Sequence, residues 1–139
     1  MKNMSESAEV LYLGYVESTG ETSKICIKDE YQPALLGLNE FSHAIILYWF
    51  HERDNNKHRT VLQVTPPRHK GAPRTGVFGC RSPSRPNPIG HTLVKIEYIE
   101  DGCLIVRGLD ALKGSPIIDI KPYMTNDCIK IATFPDYFK

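Results

Sequence analysis

Thr92-Leu-Val-Lys-Ile-Glu-Tyr-Ile-Glu-Asp-Gly-Cys-Leu-Ile-Val-Arg-Gly-Leu109 is the stretch that decides the fold class. Its first run puts Thr92, Val94, Ile96 and Tyr98 on one face with a period of two. Its second run, Cys103–Leu109, reads as a returning strand. Between them stands Asp101-Gly102, a pair suited to a type I′ turn because both central residues must take positive φ. A connection that short makes the strands antiparallel.

The neighbouring segments repeat the pattern. Val10–Val16 and the alternating Lys24–Lys28 are expected as strands around a turn at Gly20. Tyr31–Asn39, with Pro33 and a leucine cluster, suits one short helix or turn. Phe41–Phe50 is a continuous β-branched and aromatic run, expected as a central strand buried on both faces with His43 as a hydrogen-bonded interior residue. Asp54–Arg59 reads as turn, Thr60–Thr65 as strand, Pro66–Thr75 as a basic loop and Val77–Cys80 as strand. After the turn at Gly114-Ser115-Pro116, Ile118 and Ile120 alternate with Asp119 and Lys121 in a last strand, and the residues beyond it form a peripheral tail. Seven or eight short strands and few helices make the chain mainly β, an antiparallel barrel or sandwich.

At 139 residues, with 41% apolar and 24% charged residues, one globular domain spanning 1–139 is expected. The longest apolar run, Ala44–Phe50, is too short for a membrane helix, and no secretory signal is visible at the start. The cytoplasm is the default compartment. The four cysteines, at 26, 80, 103 and 128, form no C-x-x-C pair, so they are expected as buried or incidental thiols. The histidines form no zinc-protease motif, and no metal is expected. Neither a dinucleotide glycine motif nor a P-loop is present.

The net charge of +1 hides a division. From Asn55 to Ile96 there is no acidic residue but eight Lys/Arg and three His. Within that stretch Arg81-Ser-Pro-Ser-Arg-Pro-Asn-Pro-Ile-Gly90 carries three prolines, which fix φ and remove amide donors, so an extended stiff loop is expected. Arg81 and Arg85 on such a loop suit a carboxylate or phosphate. Arg68, Lys70 and Arg74, with His69, His91 and Phe78 for stacking, could offer a surface to RNA. The segments expected to meet at one site are His51-Glu52, Arg81–His91 and Arg107–Asp110, each where a strand joins a connection. Asp110 reads equally well as a turn residue or as an arginine's partner.

These residues carry a resemblance. Gly76-Val-Phe-Gly-Cys-Arg-Ser-Pro-Ser-Arg-Pro-Asn-Pro-Ile-Gly90 is similar to the G-V-F-x-x-R-S-x-x-R-P-N-P-I-G signature of the TsaA-like (TrmO, YaeB) family. Gly14–Ser18, Phe41-Ser-His43 and Gly108–Tyr123 agree with it in the same order. The resemblance implies a small antiparallel β-barrel that binds S-adenosyl-L-methionine, works as a homodimer and methylates N6 of threonylcarbamoyladenosine beside the tRNA anticodon. It implies cofactor contacts from His51, Glu52, Arg81, His91, Arg107, Gly108, Leu109 and Asp110, and the catalytic base is left open among Glu52, His51, Asp110, Asp119 and a group of the tRNA itself. The chain departs from the family in lacking a Pro-Arg-Gln element over Ser18–Asp29 and in having Lys113 where an aspartate is usual. It is also expected to be a short form, without the C-terminal domain of bacterial members. The alternatives are a cofactor- or RNA-binding module without turnover, and a methyltransferase acting on a small molecule.

Overall fold

The computed structural model describes residues 6–138. Six antiparallel strands close into a barrel: β1 (Gly14–Ser18), β2 (Ser23–Ile27), β3 (His43–Trp49), β6 (Ile89–Glu100), β7 (Cys103–Arg107) and β8 (Pro116–Pro122). Around the ring the order is β1-β2-β7-β6-β3-β8, with β8 pairing back onto β1. A separate two-stranded ribbon, β4 (Gln63–Val64) with β5 (Thr75–Gly76), carries the basic loop between its strands.

The β6–β7 hairpin forms as its sequence requires, with Asp101 at φ 52° and Gly102 at φ 75°. One face of each strand lines the core, where Val16, Ile25, Ile46, Val94, Leu104, Val106 and Ile117 are essentially inaccessible. Short 3-10 turns over Asp29–Leu35 and Leu38–Glu40 cover the end of the barrel at which β3 begins, and bring Leu38 into that core.

Several expectations are corrected. β3 is not buried on both faces; it alternates, because it belongs to a barrel with one interior side. His43 lies on the outer side, half-buried, with Nδ1 2.7 Å from Ser42 Oγ. Strict alternation fails in β6, where the register slips between Ile96 and Tyr98. That bulge leaves Ile99 half-buried and turns Tyr98 outward. A second slip, between Leu47 and Tyr48 opposite β8, puts Ile117 rather than Ile118 in the core. Thr60–Thr65 yields only the two residues of β4, and Val77–Cys80 is a 3-10 turn over Val77–Gly79 instead of a strand. Asp54–Arg59 contains a short helix, α1 (Asn56–Arg59), whose first turn is capped by the Asn55 side chain accepting from the His58 amide at 3.0 Å.

The cysteine expectation is also corrected for two of the four. Cys26 and Cys103 stand directly opposite each other on β2 and β7 and form a disulfide. Opposed residues of an antiparallel pair share a face at close range, a proximity that spacing along the chain does not reveal. Glu17 and these two sulfurs are grouped closely enough to suggest metal ligands, but here the sulfurs are bonded to each other. Cys80 and Cys128 are free. No helix among the described residues is long and apolar enough to cross a membrane.

Candidate functional site

Three strand ends meet at the far end of β3. The β3–β6 register pairs Leu47 with His91 and Trp49 with Ile89, and the Phe50 amide donates to the Pro88 carbonyl at 2.7 Å. The outgoing His51-Glu52 turn and the incoming proline loop therefore lie side by side. The exit of β7 is tied to the same place by Tyr48. Its hydroxyl donates to the Asp110 carbonyl and lies 3.0 Å from Thr92 Oγ1, which accepts from the Asp110 amide at 3.4 Å. The structure thus brings the Glu52, His91 and Asp110 segments together.

The proline loop is clamped from beneath by α1 and the turn before it. Arg59 donates to the Pro86 carbonyl at 2.8 Å, to Asn87 Oδ1 at 3.2 Å and to Asp54 Oδ1 at 2.9 Å, with its guanidinium 5.6 Å from the Trp49 ring centroid. Ser84, buried, accepts from Arg53 at 3.0 Å and sits 2.8 Å from His58 Nδ1. Hydrogen bonds from Trp49 and then Arg59 hold the Asp54 carboxyl below its usual range, so the anchor stays ionised near neutrality.

The two loop arginines separate in role. Arg85 is not presented to a ligand; it turns inward and donates to the Val77 and Cys80 carbonyls, fixing the 3-10 turn. A short 3-10 turn leaves its last carbonyls without helical partners, and the nearby guanidinium satisfies them. Arg81 is exposed and has no carboxylate partner among the described residues. It lies near enough to His91 to act on it. Desolvation first, and the Arg81 charge second, lower the His91 pKa, so that imidazole is neutral near pH 7.

The remaining candidates are placed as follows. His51 and Glu52 are exposed in a 3-10 turn. Arg107 is engaged on the outer surface by Glu97 at 2.6 Å and Glu21 at 3.5 Å. Gly108 (φ 91°) turns the chain out of β7, and Leu109 packs against the core. Asp110 is exposed and paired with Arg68 of the basic loop at 3.5 Å. A cavity of about 320 Å³ opens at the opposite end of β3, lined by Ile27, Leu38, Phe41 and Ile120 among others; of the candidate residues Asp119 alone lines it, away from the strand ends that gather the rest.

Sequence reasoning missed Tyr48, Thr92, Arg53, His58, Arg59 and Ser84. Tyr48 carried one usable signal: a tyrosine in a buried strand needs a hydroxyl partner. Thr92 was read in a strand, Ser84 in the stiff loop, and Arg53, His58 and Arg59 in or beside a turn, and only their positions in space reveal their work.

Residues 15–128 match the family described as the tRNA-methyltransferase O N-terminal domain. A probable S-adenosyl-L-methionine-binding protein of Methanothermobacter thermautotrophicus is 52% identical over 76% of this chain and 72% of its own length. A tRNA (adenine(37)-N6)-methyltransferase of Mus musculus is 43% identical over 75% of this chain, and the match spans 25% of the mouse protein. Among solved structures, one described as TrmO superposes with a TM-score of 0.72 at 29% identity, covering 92% of this chain and 63% of the other.

Proposed function

Because the chain belongs to the family of the tRNA-methyltransferase O N-terminal domain, we propose that it binds S-adenosyl-L-methionine and methylates N6 of threonylcarbamoyladenosine beside a tRNA anticodon. The observation that carries this is the unpaired Arg81 guanidinium beside a neutral His91, on a loop clamped where β3 and β7 end and β6 begins. Those residues fit the cofactor: a planar guanidinium pairs with an amino-acid carboxylate, and a neutral imidazole exchanges hydrogen bonds without repelling a cation. His51, Glu52 and the Arg107–Asp110 segment complete the proposed contacts, with Leu109 as apolar wall.

When bound, the cofactor supplies a sulfonium methyl whose positive charge vanishes on transfer. The chain's task is then alignment and exclusion of water. Tyr48 and Thr92 fix the Asp110 backbone, and Arg59 fixes the loop that holds Arg81. A proton must leave the acceptor nitrogen. Asp110 is paired with Arg68, and Asp119 with Lys121 at 3.1 Å, whereas Glu52 has no cationic partner among the described residues. Glu52 is the carboxylate free to take that proton.

Calorimetry with S-adenosyl-L-methionine tests the cofactor, and absence of heat at millimolar ligand refutes it. Arg81→Ala should weaken binding by about 10- to 150-fold, the loss of a charge-assisted pair of roughly 1.5–3 kcal/mol. Transfer of labelled methyl to tRNA from cells lacking the endogenous activity tests turnover. A second reading, cofactor binding without transfer, draws on the archaeal relative, a probable S-adenosyl-L-methionine-binding protein; binding without label transfer would select it. The chain spans about a quarter of the mouse methyltransferase, so the tRNA assay uses the present chain. We further read it as a cytoplasmic homodimer. Ile89, Leu93 and Tyr98 are exposed along β6 and would suit a second copy, and light scattering at a mass other than twice 15.7 kDa would refute the dimer.

A further inference from the structure

From Met124 to Asp136 every residue is exposed, yet the two that follow are not. Tyr137 and Phe138 are half-buried in a short 3-10 turn over Asp136–Phe138. Phe138 meets His69 edge-on, with centroids 4.5 Å apart, and Tyr137 lies 4.8 Å from Phe138. The anchor is therefore His69, in the middle of the basic loop. Its neighbour Arg68 reaches across to Asp110 at 3.5 Å, so the aromatic tip sits at the rim of the site already described. Lys70 and Arg74 belong to the same loop, and neither has a carboxylate partner among the described residues.

We propose that His69, Tyr137 and Phe138 form a stacking surface for an unpaired base of the RNA substrate, with Arg68, Lys70 and Arg74 contacting the flanking phosphates. Clustered rings beside exposed cations are what an unpaired nucleotide requires: a face for the base and a charge for the backbone. The inference rests on the tRNA reading and adds to it a recognition element on the tail.

The test uses a fluorescently labelled stem–loop RNA with an unpaired loop, titrated with the full chain at several salt concentrations. The double variant Tyr137→Ala/Phe138→Ala should bind about 5- to 150-fold more weakly, the worth of one stacked base. Its salt dependence should be unchanged, because stacking releases no counterions. Arg68→Ala should instead flatten the salt slope by about 0.7. Unaltered S-adenosyl-L-methionine binding by the double variant reports that the barrel is intact. In Phe138→Trp, which keeps a ring at the tip, RNA should quench the tip fluorescence. Wild-type affinity in the double variant, or no RNA-induced quenching of Phe138→Trp while RNA is bound, overturns the stacking surface alone. No RNA binding by the wild-type chain at low salt overturns the tRNA reading and this inference with it.

Discussion

Arg59→Ala is the substitution that most directly tests how the proline loop is held. Arg59 donates to Pro86, Asn87 and Asp54 and lies over Trp49. The hydrogen bonds to the two neutral acceptors contribute about 1 kcal/mol each. The ion pair with Asp54, whose side chains are both 38% exposed, adds no more than about 1 kcal/mol after screening. The cation–π contact adds roughly 0.5 kcal/mol. These terms share one side chain and overlap, so the loop should lose about 2–3 kcal/mol of attachment. Limited trypsinolysis reads that loss locally. The Arg81–Ser82 bond should be cut when the loop opens, whereas Arg85–Pro86 is protected by its proline. If opening precedes cleavage, the rate at Arg81 should rise about 30- to 150-fold. Asn87→Ala removes a single acceptor, for about a fivefold rise from roughly 1 kcal/mol, and serves if Arg59→Ala fails to fold. An unchanged rate at Arg81 in variants with native circular dichroism would refute the clamp.

Three further outcomes follow from the same geometry. Reducing the Cys26–Cys103 disulfide frees a loop of 77 residues, and loop entropy sets an upper loss of about 4.5 kcal/mol, to be measured by urea denaturation with and without reductant; coincident curves would show that the bond does not constrain the unfolded chain. A Cβ on Gly90 would lie 2.6 Å from the rings of Tyr48 and Phe50, so Gly90→Ala should cost about 1–3 kcal/mol. It should also displace the Tyr48 hydroxyl from Asp110, and a variant as stable as the parent would refute that close contact. His91 has a lowered pKa, so as pH falls below about 6.5 the unfolded chain takes up a proton that the folded chain resists. Stability contributed by His91 is thus full above that value, declines down to the folded pKa and is level below it. His58 is lowered too, mainly by desolvation, and acts with the same sign. Proton NMR should find both titrating below free histidine, and a carboxylate ligand at Arg81 should raise His91 alone.

The barrel was legible wherever local chemistry and global topology agree. Asp101-Gly102 admits few conformations, so the hairpin could be read directly, and alternation in Lys24–Lys28 located β2. The bulges at Glu97 and Ile118 were not legible, because an extra residue leaves composition unchanged and is chosen by the curvature of the closing sheet. The Cys26–Cys103 bond was hidden for a related reason: it depends on which strands become neighbours. At the candidate site, the proline spacing announced a stiff loop and the charge pattern announced arginines. It could not say that Arg85 would turn inward while Arg81 stayed free, since that follows from where the Val77 and Cys80 carbonyls point.

The ribbon that carries the basic loop has just two rungs, Gln63 to Gly76 and Val64 to Thr75, whereas every barrel ladder is consumed by ring closure. Rigidity is therefore unevenly distributed, and the ribbon is the joint that yields first. Swinging it outward breaks the exposed Arg68–Asp110 contact and parts His69 from Phe138, but leaves the barrel ladders unbroken. One small arm can thus be lifted at little thermodynamic expense to the closed body beneath it.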